Sequence, residues 1–155
     1  MRISHFALLA AASLLAGGTL AFAHEDHEAS GHPLVDARQG GMTMMVATLS
    51  MASKAGDSED TVKRAAFPAS GLASFARGLP ALFDPKTANV ENTRALPAVW
   101  EDSDAFAAQI DEFAAATAEL QAAAQADDRE AFTAALARTK MACQACHATY
   151  RAEAE

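Results

Sequence analysis

The chain has 155 residues, of which 51% are hydrophobic and 21% charged, so it has the size of one domain and is apolar enough to bury a core. This composition excludes an intrinsically disordered, collagen-like or disulfide-dense chain. The net charge is −8, and the longest basic cluster is Lys63-Arg64; nucleic acid is therefore not an expected partner. Alanine is abundant and β-branched residues are few, which favours helix.

Residues 1–23 have the features of a cleaved secretory signal. Arg2 supplies a positive charge, residues 6–20 are mainly apolar, and Ala21-Phe22-Ala23 is an A-x-A cleavage site. The alternative is an uncleaved membrane anchor, but the apolar run falls short of the ~20 residues that span a bilayer. We therefore expect an exported protein without a membrane span after cleavage.

Residues 24–33 are polar and charged and show no periodicity, which predicts a flexible leader. Its histidines, His24, His27 and His32, could hold a metal. A flexible segment lacks the fixed geometry of a specific metal site, so a solvated tail is the favoured interpretation. The folded domain is expected to occupy residues 34–155.

Two amphipathic segments follow the leader. Residues 34–53 have apolar side chains at helical spacing, which predicts one buried helix face: Val35, Met42, Met45, Val46 and Leu49. Gly40 and Gly41 cost about 1 kcal/mol each relative to Ala in a helix, and they allow a bulky group to approach the backbone. A second helix is predicted over 58–77, with a kink or break at Pro68.

Residues 78–101 contain three prolines and no sustained period, which predicts a long crossover packed against the other helices. A third helix is expected to begin with Asp102 or Ser103 as N-cap. Its seam would be formed by Phe106, Ile110, Phe113, Thr117 and Leu120. After a turn at 125–128, a fourth helix would present Phe132, Leu136, Thr139, Cys143, His147 and Tyr150 on its inner face. The pattern predicts an all-α, antiparallel four-helix bundle with one long crossover between helices 2 and 3.

The segment Cys143-Gln144-Ala145-Cys146-His147 is a C-x-x-C-H motif, the attachment signature of a c-type haem. The two thiols can each add to a vinyl group on one edge of the porphyrin, while the imidazole reaches the iron. On a helix, residues four apart such as Cys143 and His147 project from the same side. The motif predicts one covalently bound haem c near the C-terminus, with Cys143 and Cys146 as thioether anchors and His147 as iron ligand.

Three other uses of this motif are weaker. A thioredoxin-like dithiol needs an α/β context, and a zinc site needs four ligands where only three lie together. A disulfide between residues three apart on a helix would be strained and would leave His147 unexplained. Because c-type haem is attached outside the bacterial cytoplasm, haem attachment also agrees with export and indicates the periplasm.

Histidine counting limits the second axial ligand of the iron. Of the five histidines, His147 alone falls within the predicted bundle. The sixth position is therefore a methionine, a leader histidine, a weak ligand or vacant. Met42, on the buried face of the first helix, has the best claim. If its thioether binds iron, the haem is low-spin with a raised potential; if it only packs, the iron is five-coordinate and high-spin, and a small gas can enter.

The segment from Cys143 to Tyr150-Arg151, at the C-terminus of an exported four-helix chain, resembles the class II c-type cytochromes, the cytochrome c′ family. Arg38-Gln39, Leu79-Pro80, and Pro97-Ala98-Val99-Trp100 followed by Phe106 are also similar to that family. The resemblance covers essentially all of the mature chain. Gly40-Gly41 and the Pro68 interruption depart from a typical member.

The resemblance implies roles for matching positions. His147 would be the proximal ligand, Arg151 would lie beside the proximal face, and Arg38 and Gln39 would lie near the haem propionates. Arginine binds carboxylates bidentately, which favours this role over the alternative of surface charge. Met42 matches the distal position. Homodimers are common in the family, and the outward face of the first helix, with Met44 and Met51, could supply an isologous contact.

These features lead to two main functional hypotheses. The first is a periplasmic electron carrier that exchanges electrons with redox partner proteins through Fe(III)/Fe(II) cycling. The second is a five-coordinate haem module that binds nitric oxide or carbon monoxide. An enzyme such as a peroxidase is not expected, because the bundle offers no distal acid–base pair.

Overall fold

The computed structural model describes residues 29–58 and 60–153. Its five α-helices are α1 (Pro33–Gly56), α2 (Ala66–Gly78), α3 (Ala98–Glu101), α4 (Ser103–Ala126) and α5 (Arg129–Tyr150). The long helices α1, α2, α4 and α5 form a four-helix bundle, and the single-turn helix α3 lies in the crossover between α2 and α4. The all-α bundle and its crossover are confirmed. The predicted signal 1–23 and leader residues 24–28, with His24 and His27, lie outside the described residues.

The start of α1 is held by the residues just before it. The backbone N–H and the hydroxyl of Ser30 both donate to Asp36 Oδ1 at 2.8 Å. These hydrogen bonds lower the pKa of Asp36, whose negative charge also suits the N-terminal turn of a helix. Pro33, a favoured residue at the first helical position, begins the helix directly after His32. The last residues of the predicted leader thus contact the first turn.

Helix α1 continues through both glycines. A Cβ atom built on Gly41 would lie 2.3 Å from Cε2 of Phe75 on α2, so the bulky group expected to approach this backbone is the Phe75 ring. The prediction that Val46 is buried is wrong, because its side chain is 72% exposed. The inward stripe passes through Met45, Leu49 and Ala52, and one residue beyond Met45 the helix has turned by about 100° toward solvent.

The second helix begins later than predicted. Residues Lys63–Ala65 form a 3₁₀ turn, and α2 starts at Ala66. Pro68 lies in the first turn of α2, where its missing N–H breaks no intrahelical hydrogen bond. The helix predicted over 58–77 therefore begins only at Ala66, and the predicted kink or break at Pro68 is wrong. The preceding loop is held instead by Asp127, which has φ 59° and accepts hydrogen bonds from Thr61 Oγ1 at 2.6 Å and from the Val62 N–H at 2.9 Å.

The core consists of two clusters. The turn-end core lies near the α4–α5 turn and contains Ala52, Val62, Ala65, Ala69, Leu72, Leu120, Ala123, Ala124, Phe132 and Ala135. The motif-end core contains Ala76, Leu79, Val99, Phe106, Ile110, Phe113, Ala142 and Tyr150. Thr117 and Thr139 are fully buried, and their hydroxyls donate to the carbonyls of Phe113 and Ala135 on their own helices. The predicted inner face of α4 is thus buried, whereas on that of α5 Leu136, Cys143 and His147 are only partly buried.

Two 3₁₀ turns, Leu79–Phe83 and Pro85–Thr87, shape the crossover. Asp102 occupies the N-cap position of α4 as predicted, although its side chain makes no capping hydrogen bond. Asp128 caps α5 by accepting from the Ala131 N–H at 3.0 Å. Within the described residues, none of the helices has the length and hydropathy needed to traverse a bilayer.

Candidate functional site

The C-x-x-C-H residues lie on the last two turns of α5. Cys143 and Cys146 are unpaired thiols that are partly buried and pack against the motif-end core. Burial raises the pKa of both thiols, that of Cys146 to about 11. His147 is also partly buried. Residues three and four apart share a helix face, so the two thiols and the imidazole point to the same side of α5.

The thiols lie beside an apolar and partly aromatic cluster. Cys143 and Cys146 pack with the motif-end core, where the Phe106 ring contacts those of Phe83 and Tyr150 at centroid distances of 4.7 and 4.9 Å. In the part of the chain that the structure describes, no three His, Cys, Asp or Glu side chains converge as ligands for a metal ion. Two thiols and one imidazole beside an aromatic wall therefore fit attachment of a porphyrin better than direct coordination of a bare ion.

The environment of His147 favours the neutral imidazole. Burial lowers the pKa of His147, and the positive charges of Arg151 and Arg94 lower it further. A neutral imidazole keeps the lone pair that an iron ligand requires. Arg151 is exposed and follows the last residue of α5, and its backbone N–H donates to the His147 carbonyl at 3.2 Å. The structure thus brings Arg151 to the same end of α5 as His147.

A short antiparallel bridge joins the crossover to the segment after α5. Ala95 pairs with Arg151, the Leu96 N–H donates to the Tyr150 carbonyl at 3.0 Å, and the Ala152 N–H donates to the Arg94 carbonyl at 2.8 Å. The Arg94 side chain adds two hydrogen bonds to the Ala152 carbonyl, from Nε at 3.1 Å and from Nη2 at 2.8 Å. Arg94 could not be selected from the sequence, because it lies in a crossover without periodicity or motif.

Arg38 is 4% exposed, so the surface-charge alternative is wrong for this residue. Its Nη1 donates to the Leu82 carbonyl at 3.0 Å, and its Nη2 donates to Thr93 Oγ1 at 2.8 Å. The guanidinium lies 4.5 Å from the centroid of the Phe83 ring. Gln39 Nε2 donates to the Asn92 carbonyl at 2.8 Å. Both side chains thereby hold the crossover against α1, and their placement near the propionates stays a prediction.

The methionines separate by environment. Met42 is partly buried against the motif-end core, the cluster that also contains Cys143 and Cys146. Met45 packs against the turn-end core. The exposed methionines are Met44 (63%), Met51 (54%) and Met141 (61%). Among the methionines that the structure describes, Met42 is therefore the one that shares a cluster with the thiols.

The chain is similar to known haem proteins. A family model described as Cytochrome C′ matches residues 33–151. Cytochrome c-554 of Cereibacter sphaeroides is 34% identical over 123 residues, which cover 76% of this chain and 92% of that protein. Cytochrome c′ of Rhodospirillum rubrum is 35% identical over 85 residues, 55% of this chain and 58% of the relative. Cytochrome c′ of Rubrivivax gelatinosus is 41% identical over 69 residues, which cover 44% of this chain and 54% of that protein. The chain therefore spans little more than half the length of these two cytochromes c′.

Solved structures extend the similarity to most of the bundle. Cytochrome c′ of Rubrivivax gelatinosus superposes with a TM-score of 0.71 and 28% identity, covering 77% of this chain and 94% of that one. The L16A mutant of cytochrome c prime from Alcaligenes xylosoxidans, solved as a nitric oxide complex, has a TM-score of 0.68 and 25% identity, and the match covers 78% of this chain and 94% of that one. A cytochrome c′ with ligand-controlled dimer dissociation has a TM-score of 0.70 and 27% identity, and the match covers 77% of this chain and 95% of that one. The chain therefore belongs to the cytochrome c′ family and is a c-type haem protein.

Proposed function

We propose that this chain is a periplasmic electron carrier with a single haem c, and that it is not an enzyme. The observation that carries this proposal is that Met42 packs in the same cluster as Cys143 and Cys146, where its thioether can serve as the sixth ligand. A haem with two protein ligands cycles between Fe(III) and Fe(II) without an open coordination site. Redox partner proteins would dock where the haem edge reaches the surface.

The residues of α5 would bind and orient the haem. Cys143 and Cys146 would form the thioether links, and His147 would be the proximal iron ligand. The partial burial of all three side chains suits covalent retention of a cofactor that is half-enclosed by protein. The two positive charges that favour the neutral imidazole support the assignment of His147, because a protonated imidazole cannot bind iron.

A peroxidase is not favoured by the residue that packs with the thiols. General acid–base catalysis would need a titratable group within hydrogen-bond reach of the reacting atoms. The thioether of Met42, which packs on the same cluster as Cys143 and Cys146, does not titrate. Its place supports electron transfer or ligand binding rather than a peroxidase.

The second candidate function is a five-coordinate haem that binds nitric oxide or carbon monoxide. It is favoured by the nitric oxide complex of the Alcaligenes xylosoxidans relative and by the apolar character of the cluster around Met42. If Met42 only packs over the ring, a small neutral gas could enter this apolar space. The two functions therefore differ in one bond, between the Met42 sulfur and the iron.

We propose further that α1 forms a homodimer with a second copy of the chain. Met44 and Met51, seven residues apart on one helix face, are 63% and 54% exposed, and Phe67 on the neighbouring helix α2 is 83% exposed. Exposed apolar side chains that share a helix face, as Met44 and Met51 do, are typical of an interface. The relative with ligand-controlled dimer dissociation supports a dimer. Light scattering over a concentration series should show a dimer that Met44→Glu/Met51→Glu converts to monomer; a monomeric parent chain would refute the interface.

Optical spectra of the exported holoprotein test the main function. The oxidised and reduced forms are recorded with and without carbon monoxide. Sharp ferrous α and β bands that do not respond to the gas are expected for the electron carrier. A broad high-spin spectrum that shifts with carbon monoxide would overturn it in favour of gas binding. Recovery of the haem protein from the periplasmic fraction, with His24 as its N-terminus, would test the location and the predicted cleavage.

A further inference from the structure

Arg94 lies between two parts of the molecule that meet beside His147. It belongs to the crossover, yet its Nε and Nη2 atoms both donate to the carbonyl of Ala152 beyond the end of α5. The backbone of the same residue accepts from the Ala152 N–H at 2.8 Å. Arg94 and Ala152 are thus joined in both directions, by main chain and by side chain.

This contact fixes the conformation of the chain directly after the C-x-x-C-H motif. Arg151 is extended, with φ −124° and ψ 130°, and its backbone pairs with Ala95. Without the bridge, Arg151 would be the fraying end of a helix. The bridge therefore determines where the Arg151 side chain can go, and it brings the Arg94 guanidinium to the same end of α5.

Two positive charges next to the proximal ligand have a definite electrostatic effect on the iron. The ferric haem carries one more positive charge than the ferrous haem, so neighbouring cations destabilise it by Coulomb repulsion. Arg94 is partly buried, so the effect of its charge is screened less by salt than that of an exposed charge. Cations held at the proximal side favour reduction.

We propose that Arg94 is a positioning residue for the proximal side of the haem. By binding the segment after α5 to the crossover, Arg94 holds its own positive charge and that of Arg151 beside His147. These two charges raise the reduction potential of the haem. This inference rests on the proposed role of His147 as iron ligand. It assigns to the crossover a part in tuning the haem that lies outside the C-x-x-C-H motif. Arginine suits this position because one planar guanidinium supplies two donors to a single carbonyl while keeping its charge.

The test compares the midpoint potentials of the holoprotein and three variants by spectroelectrochemical titration. Arg94→Gln removes the charge and keeps one donor, whereas Arg94→Lys keeps the charge. Arg64→Gln is the matched control, because Arg64 is exposed in the 3₁₀ turn before α2, next to the turn-end core. The midpoint potential should fall in Arg94→Gln, fall by less in Arg94→Lys and stay at the parent value in Arg64→Gln.

Two results would overturn the inference. One is a potential in Arg94→Gln equal to that of the Arg64→Gln control; the other is a decrease in Arg94→Lys as large as in Arg94→Gln. Thermal unfolding of the same variants separates a loss of stability from a change in potential. If the parent chain has no covalently bound haem or no reversible one-electron couple, the proposed function itself fails, which is a distinct outcome.

Discussion

The ring of Phe75 lies against the backbone of Gly41, so closely that a Cβ atom on Gly41 would be 2.7 Å from Cζ and 2.3 Å from Cε2 of the ring. The contact occurs one residue before Met42, and both Met42 and Phe75 pack on the motif-end core. The close approach of α1 to α2 therefore fixes the backbone from which the proposed sixth ligand projects.

Gly41→Ala should destabilise the bundle although alanine favours helix. The new methyl group must displace the Phe75 ring, and overpacking of this kind costs about 1–3 kcal/mol. Gly40→Ala is the control, since a Cβ there meets nothing within 4 Å; it should stabilise the helix by about 1 kcal/mol. Urea unfolding measures both changes. A stabilised Gly41→Ala variant would show that Phe75 moves aside without cost.

Met42→Ala should convert a low-spin spectrum to a high-spin one and allow carbon monoxide to bind, because it removes the thioether from the iron. The control is Met45→Ala on the same helix, which alters the turn-end core and should leave the spectrum unchanged. Absorption spectra of both oxidation states with and without the gas provide the measurement. A Met42→Ala spectrum identical to that of the parent would refute ligation.

Arg38→Met should loosen the crossover. The change removes the donors to the Leu82 carbonyl and Thr93 Oγ1 and leaves partly buried acceptors without partners, at a cost of roughly 2–5 kcal/mol in the free energy of unfolding. Hydrogen exchange across residues 82–93 should accelerate. Arg77→Met is the control, because Arg77 is exposed and donates to Ser74 on its own helix. Equal losses of stability in the two variants would contradict a special role for Arg38.

Asp127→Asn should weaken the loop before α2 in a pH-dependent manner. The Thr61 hydroxyl, and then the N–H groups of Val62 and Lys63, lower the pKa of Asp127. A carboxyl whose folded-state pKa lies below its unfolded value of about 4 stabilises the protein above that pH and loses this contribution as the pH falls through the folded-state pKa.

The parent should therefore be more stable than Asp127→Asn at pH 7, and the difference should shrink as the pH falls below the unfolded-state pKa of about 4. Asparagine tolerates the positive φ of this position, so the comparison isolates the charge. Asp57→Asn, an exposed aspartate in the same loop region, should show a smaller difference. A gap between parent and Asp127→Asn that stays constant as the pH falls from 7 to well below the unfolded-state pKa of about 4 would rule out the carboxylate as its source.

The Cys143→Ala/Cys146→Ala double variant should lose covalent haem. Thioether links survive denaturation, whereas a haem held by His147 alone dissociates from the unfolded chain. Haem staining of a denaturing gel distinguishes the two, and each single variant should retain a reduced signal through its remaining link. A normal signal from the double variant would disprove attachment at these cysteines.

Local sequence was sufficient where large apolar side chains recur at helical spacing. The predicted seam of α4 and the anchors Phe132, Thr139 and Tyr150 of α5 are all buried. The beginning of α2 could not be predicted in the same way, because a proline is accepted both in a first turn and at a kink. Which of the two occurs depends on Asp127, which holds the loop from 65 residues farther along the chain.

The candidate site shows a similar division. The spacing of Cys143, Cys146 and His147 identifies the chemistry by itself, since these residues lie within one segment of helix. The hydrogen bonds that Arg94 and Arg38 make depend on the path of the crossover, and the sequence of the crossover has no periodic pattern from which that path could be predicted. Contacts with backbone carbonyls, such as those of Leu82 and Ala152, leave no trace in side-chain patterns.

Because the core is divided into two clusters, we expect the protein to mature in two steps, first assembly of the turn-end core and then attachment of the haem. The turn-end core takes residues from all four long helices and includes no residue of the C-x-x-C-H motif, so it can assemble before any cofactor arrives. The Cys143 and Cys146 thiols pack instead against the motif-end core. We expect a bundle that has assembled its turn-end core to present these thiols at its other end to the attachment machinery, so that haem insertion completes a scaffold that already exists.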